Sequence, residues 1–310
     1  MLAFGPVPSR RLGLSLGINH IPPKHCPYSC VYCQVGKTDH LEITRRELFS
    51  VEQILRDVKQ KVDDSAKGGQ SIDYLTLVPD GEPTLDLHLD MLIIELKQFG
   101  IPIAVISNAS MIDREDVQQA LLLADWVSLK VDSVVEDEWR KINRPHRYLS
   151  LSAILAGIFR FKVKYQGELV TETMLVSGVN DGKESLRRLC DFFEVLEPFQ
   201  SFLSIPIRPP AESWVQPPQP ERLREILGFV SERIPVVEPL FELEKPEFVS
   251  TGHLDEDILA ICAVHPIRQK ALMNMVGQAG GDWNTVEKLY QSGKLARVRY
   301  RGETFYKRKW

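Results

Sequence analysis

Three cysteines within eight residues, in KHCPYSCVYCQVG, constrain this chain more than any other feature. Cys26, Cys30 and Cys33 are separated by three and then two residues, and only Cys190 and Cys262 are found elsewhere. An odd total of five, with three crowded together, argues against paired disulfides and for a metal or cluster site in a reducing compartment. Three thiolates on one loop suit either zinc with one further ligand, for which His20 and His25 are at hand, or a [4Fe-4S] cluster with one open iron. Cys190 and Cys262 lie among apolar neighbours, Leu189 with Phe192 and Phe193 for the first and ILAICAV for the second, and read as buried small residues.

The rest of the chain alternates apolar runs with stretches of helical period, the pattern of a parallel-sheet α/β protein. Strands are expected near 13–18, 73–78, 102–106, 125–131, 169–176 and 201–207. Helices are expected near 51–66, 86–99, 113–123, 151–163, 183–196 and 219–232. Six β/α units joined by right-handed crossovers imply a partial (β/α)6 barrel, with function at the loops after the strand ends. The cysteine loop follows the first of these strands directly.

A proline-rich stretch, Pro206 to Pro220, interrupts the sixth unit, and PVVEPLFELEKPEFVSTG reads as an exit segment. The reading divides the chain into residues 1–250, the barrel, and 251–310, a small winged-helix-like domain. That second part reads as three helices (LDEDILAICAVH, IRQKALMNMVGQ, NTVEKLYQSG) and a hairpin turning at Gly302. Gly280 and Gly281 end the second helix, and Asn284 with Glu287 form a capping pair for the third.

Polar motifs occupy the expected strand ends. Asp80-Gly81-Glu82-Pro83-Thr84 follows strand two, Ser107-Asn108-Ala109 follows strand three, and Lys130 and Asp132 close strand four on one face. Gly81 permits close backbone approach, Glu82 offers an acceptor, and a lysine aimed into a barrel needs an anionic partner. Glu172 and Arg208 lie on strands five and six.

CPYSCVYCQ resembles the C-x3-C-x2-C signature of the radical SAM superfamily. The resemblance implies that Cys26, Cys30 and Cys33 hold a [4Fe-4S] cluster and that S-adenosylmethionine (SAM) chelates its fourth iron. Tyr32 matches the aromatic position near the adenine. Gly81, Glu82 and Pro83 match a GGEP-type motif toward the methionine amine, with Asp80 in place of its first glycine. Ser107 and Asn108 resemble the segment toward the ribose or carboxylate, and Lys130 with Asp132 is expected at cofactor or substrate. VYCQ, GEPTL, VSLKVDS with NRPH, and ETMLVSGVND are similar to the tRNA wyosine-base (4-demethylwyosine) synthases over roughly residues 10 to 210, but the three upstream cysteines of their second cluster are missing here. The implied activity is reductive SAM cleavage to a 5′-deoxyadenosyl radical that abstracts a substrate hydrogen, with a flavodoxin or ferredoxin as electron donor.

Composition narrows the partners. The net charge of −4 excludes a globally basic nucleic-acid binder, and no run approaches the roughly 18 apolar residues of a membrane span. Pro6, Pro8, Arg10 and Arg11 interrupt any signal-peptide core, so a cytoplasmic protein is expected. From Lys288 to Trp310, eight basic residues face the single acid Glu303, with Tyr300, Phe305, Tyr306 and Trp310 interleaved. Such a tail suits RNA phosphates and unstacked bases, or a peptide substrate. Two readings of other classes stay open from the residues alone: a non-catalytic iron-sulfur sensor with a winged-helix nucleic-acid reader, and a zinc-stabilised binding module.

Overall fold

The computed structural model describes residues 2–242, 248 and 252–309; the boundary expected near residue 250 lies outside them. Along the chain run β1 (Ala3–Ser9), β2 (Gly13–Ile18), β3 (His25–Cys26), β4 (His40–Leu41), α1 (Val51–Lys67), β5 (Tyr74–Leu77), α2 (Leu89–Leu96), β6 (Ile103–Ser107), α3 (Glu115–Leu121), β7 (Trp126–Lys130) and α4 (Glu136–Asn143). They continue with α5 (Leu151–Lys164), β8 (Glu168–Met174), α6 (Lys183–Leu196), β9 (Gln200–Ser204), α7 (Pro220–Ser231) and β10 (Val237–Leu240). Eight of these strands form one sheet in the order β1-β2-β5-β6-β7-β8-β9-β10. All neighbours are parallel except β1, which runs antiparallel to β2. The sheet curls into a half-barrel, so the six expected strands are present in their expected order.

Period-two alternation divides each strand between two environments. Leu75, Leu77, Val105, Val127 and Leu129 point outward into the main apolar core, against Ile54, Val58, Leu92, Ile93, Ile158 and Phe161 of the helices. The concave face is polar toward its upper end. Ser15 and Thr76 share a 2.6 Å hydrogen bond, Thr171 donates to Ser201 at 2.9 Å, and Ser204 donates to Glu172 at 3.0 Å. Leu12, Ala104, Trp126, Val170, Phe202 and Leu240 form a separate apolar cluster.

The two outermost strands depart from the sequence reading. Val237–Leu240, taken as part of an exit segment, pairs in parallel with β9, and Ala3–Ser9 pairs with β2. Both carry prolines, Pro239 in one and Pro6 and Pro8 in the other. A missing N–H is tolerated at a sheet edge because no further strand needs it. The helix α4 is also absent from the sequence reading, because in EDEWRKIN only Trp139 and Ile142 give an apolar buried face.

The C-terminal part contains α8 (Leu254–Val264), β11 (Ile267–Arg268), α9 (Gln269–Gln278), α10 (Asn284–Gln291), β12 (Leu295–Tyr300) and β13 (Glu303–Arg308). Its strands form a sheet in the order β11-β13-β12. Arg301 and Gly302 both have positive φ, as a two-residue turn that follows the strand twist requires. Asn284 is the first residue of α10 rather than its cap; the Asp282 side chain accepts from the Asn284 N–H at 3.1 Å. The core of this part includes Phe4 of β1, with Val7 and Val78 packed against it. Phe4 reaches it across Gly17, where a Cβ would stand 2.1 Å from the ring. Among the described residues, no helix is long and apolar enough to cross a membrane.

Candidate active site

The cysteine loop is held by its neighbours before any ligand is considered. The Cys33 N–H bonds Cys30 O at 3.0 Å, and the Glu82 N–H bonds His25 O at 3.1 Å. The loop after β5 comes so close that a Cβ on Gly81 would lie 2.1 Å from His25 O, so that position requires glycine. On the other flank, Val31 N–H bonds Ile142 O at 2.9 Å and Ser29 N–H bonds Asn143 O at 3.0 Å.

Each sulfur environment can be read from its donors. Cys26 Sγ accepts from the Tyr28 N–H at 3.4 Å and from Asn108 Nδ2 at 3.1 Å. Cys30 Sγ accepts from Asn143 Nδ2 at 3.4 Å. Burial, then the charge of Asp132, pushes the free Cys30 thiol up to about 12; burial also raises Cys26 and Cys33. Thiols of this kind ionise only against a compensating positive centre, and N–H donors aimed at sulfur stabilise the ligated form. Neither histidine is placed as a fourth ligand. His20 is fully buried beside Pro83 O, and His25 hydrogen-bonds Glu42 and stacks on His40 at 4.1 Å. Among the described residues, no three His, Cys, Asp or Glu side chains are gathered tightly enough for a single ion. The donor set fits a three-thiolate cluster better than structural zinc.

Cys26 and Cys33 line a cavity of about 340 Å³ on the concave side of the half-barrel, within the size range of small-molecule sites. Tyr32, Gly81 and Lys130 line it too, together with Asp80, Arg11, Glu172, Met174 and Arg208. The remaining expected residues support it from behind. Glu82 Oε1 accepts from Thr84 Oγ1 and Ser107 Oγ, both at 2.7 Å, and Oε2 accepts from the Asn108 N–H at 2.8 Å. Glu82 therefore ties the end of β5 to the end of β6 and orients Asn108 toward Cys26. Pro83 opens the single-turn helix Pro83–Leu85 that Glu82 caps.

Lys130 faces Glu172 at 3.2 Å and Asp132 at 4.0 Å, and its ammonium sits 4.8 Å from the Tyr32 ring centroid. Burial pulls its pKa down, but Glu172 and Asp132 hold it above the ordinary lysine value. Glu172 also pairs with Arg11, and despite burial Arg11 and Lys130 keep its carboxyl well below the usual range. Asp132 accepts from the Tyr32 hydroxyl, from Asn143 Nδ2 at 2.6 Å and from the Met174 N–H at 2.9 Å. It positions Tyr32 and the cysteine loop.

Several residues escaped the sequence reading. Arg11 and Asn143 reach the site from elsewhere in the chain and Gln34 from the cysteine loop itself; NRPH and VYCQ contain the latter two, whereas Arg11 enters the sequence reading only as a break in a signal-peptide core. The roof comes from the C-terminal part: Val264 and His265 line the cavity, Gln34 Nε2 donates to Val264 O at 2.9 Å, and Arg208 Nη2 donates to His265 Nε2 at 2.7 Å. Phe305 and Tyr306, read as aromatic faces for bases, are buried in the C-terminal core, and Trp310 lies outside the described residues.

A half-barrel whose three-cysteine loop presents Cys26 and Cys33 to its cavity defines a class, and comparison with known proteins agrees. Residues 21–190 match the Radical SAM superfamily, and the chain belongs to it. A UPF0026 protein of Methanocaldococcus jannaschii is 45% identical over 307 residues, covering 98% of this chain and 95% of that protein. A UPF0026 protein of Helicobacter pylori is 36% identical over 67% of each chain. Among solved structures, a radical SAM methyltransferase from Sphaerobacter thermophilus matches with TM-score 0.58 at 14% identity, covering 73% of this chain and 66% of that one. A TYW1 structure with a lysine-pyruvate adduct matches with TM-score 0.53 at 16% identity, covering 72% and 75%. This protein is an enzyme of the radical SAM type.

Proposed function

We propose that Cys26, Cys30 and Cys33 hold a [4Fe-4S] cluster, that SAM occupies the adjoining cavity, and that the substrate is an RNA. The observation that carries this reading is the joining of Cys26 and Cys33 to one roofed cavity with charged and polar strand ends. When bound, the cluster and SAM supply reductive cleavage to methionine and a 5′-deoxyadenosyl radical that takes a hydrogen from the substrate. The chain's own residues bind, orient and exclude water. Asn108 and Asn143 donate to ligand sulfurs, Tyr32 and the ion-paired Lys130 form one wall, Asp80 and Gly81 form another, and Val264 with His265 covers the top. Glu82, Pro83, Ser107 and Asp132 set the positions of those groups. A flavodoxin or ferredoxin supplies the electron.

RNA is favoured by the C-terminal part, read as winged-helix-like. Lys288, Lys294, Arg297, Arg299, Arg301 and Lys309 are exposed, and Tyr300 on the same hairpin donates to Pro206 O at 2.8 Å, at the cavity lining. With Phe305 and Tyr306 buried, the contacts expected are to phosphates rather than stacked bases. The test is 5′-deoxyadenosine formation by anaerobically reconstituted protein with dithionite and SAM, with and without small RNA, and with Cys30→Ala as control. Cysteine-dependent product stimulated by RNA is expected. Product indifferent to RNA transfers the substrate assignment to a peptide or small molecule, and product that survives in Cys30→Ala overturns the cluster assignment.

A further inference from the structure

The cysteine loop has two sides. Cys26 and Cys33 face the cavity, whereas Cys30 stands behind them against the end of α4 and the loop that follows, and residues 139–148 do not line the cavity. This second side is zipped to the cysteine loop along its length. Trp139 Nε1 donates to Tyr28 Oη at 3.0 Å, Ile142 O and Asn143 O accept from Val31 and Ser29, Pro145 bridges Tyr28, and the His146 N–H bonds Pro27 O at 2.8 Å. One layer of chain, residues 139–146, therefore lies directly against the cysteine loop beside the Cys30 sulfur.

The outer surface of that layer is basic. In RKINRPHR, residues 140–147, Arg140, Lys141, Arg144 and Arg147 are exposed and no acid intervenes; Lys37, from the cysteine loop, is exposed beside them. Glu136 pairs with Arg140, and Glu212 pairs with Arg144 and Lys37. The other acids of α4, Asp137 and Glu138, belong to its first turn, away from the loop, and Glu138 is engaged by Ser133 and Ser185. Tyr148 is 69% exposed, with the Arg147 guanidinium 4.7 Å from its ring centroid. A chain of net charge −4 repels an acidic protein over most of its surface, so a local basic patch directs the encounter.

We propose that this face, Lys141, Arg144, Arg147 and Tyr148 with Lys37, docks the electron donor: an acidic one-electron carrier protein with a flavin or iron-sulfur centre. The proposal rests on the cluster reading above. In the step, the reduced carrier loses one electron and the cluster gains one, passing behind Cys30 while substrate and SAM enter from the cavity side. Electron-transfer encounters use small, polar, salt-sensitive interfaces, the character that these exposed cations give this face.

The test compares the parent protein with Lys141→Glu/Arg147→Glu, both anaerobically reconstituted. The expected result is a KM for reduced flavodoxin at least tenfold higher in the variant, and a weakened flavodoxin Kd by calorimetry that converges with the parent's at high salt. The dithionite-driven rate and the iron content should be unchanged. Equal flavodoxin Kd and KM in both proteins overturns the docking face, as does a variant that loses RNA affinity while flavodoxin binding is intact. A parent protein that fails to cleave SAM even with dithionite overturns the enzyme reading instead, and the binding measurement then decides the docking face by itself.

Discussion

Asp80 is 3% exposed; its Oδ2 accepts from Asn19 Nδ2 at 2.8 Å and its Oδ1 has no protein partner. Burial pushes its pKa from 3.8 up to about 7, against the pull of Asn19 and Arg308. The folded chain thus holds this proton more tightly than the unfolded chain. The resulting stability is fully present below about pH 4 and is lost as pH rises through about 7. A shift of this size corresponds to at most about 4 kcal/mol. In urea unfolding of the cluster-free protein, the parent should lose stability between pH 5 and pH 8, and Asp80→Asn should lose less than half as much. Equal losses would show that Asp80 is not the group responsible. At this scale the cysteines and the Asp80 to Thr84 motif were legible because each is a local pattern. Asn143 was not, since its bond to Cys30 crosses 113 positions of sequence and only the packed loop creates it.

Between elements, the closest constraint is the contact of the cysteine loop with the loop after β5. Gly81→Ala must push His25 O away from its 2.1 Å clash, and the chain segment entering Cys26 moves with it. We expect iron per chain after reconstitution to fall by at least half, with the far-ultraviolet circular dichroism unchanged. Gly228→Ala in α7, where a Cβ meets nothing within 4 Å, is the control and should be neutral or stabilising by about 0.5 to 1 kcal/mol. Full iron loading of Gly81→Ala would refute the argument. The six inner strands were legible because their apolar alternation is unbroken by proline. Helix α4 was too short and too charged to show its period, and β1 and β10 carry the prolines that edge strands tolerate.

Across the whole molecule, the C-terminal part is joined to the half-barrel by more than the cavity roof. Lys61 of α1 and Asp257 of α8 form a 2.6 Å ion pair in which both side chains are 2% exposed. Removing one member leaves a buried charge uncompensated, so Asp257→Asn should cost about 3 to 5 kcal/mol, read from the urea midpoint. A loss below about 1 kcal/mol would mean that the pair is dispensable to this junction. Neither this pair nor the seat of Phe4 among Ile258, Leu272 and Tyr306 could be read from local pattern, because each joins positions far apart in the chain. The place of Phe4 also ties together parts that sequence order keeps apart. Phe4 belongs to the sheet through β1 and to the C-terminal core through Ile258, Leu272 and Tyr306, so the edge of the half-barrel and the part that roofs the cavity share one apolar anchor. A change that empties the seat of Phe4 therefore loosens the roof as well as the strand.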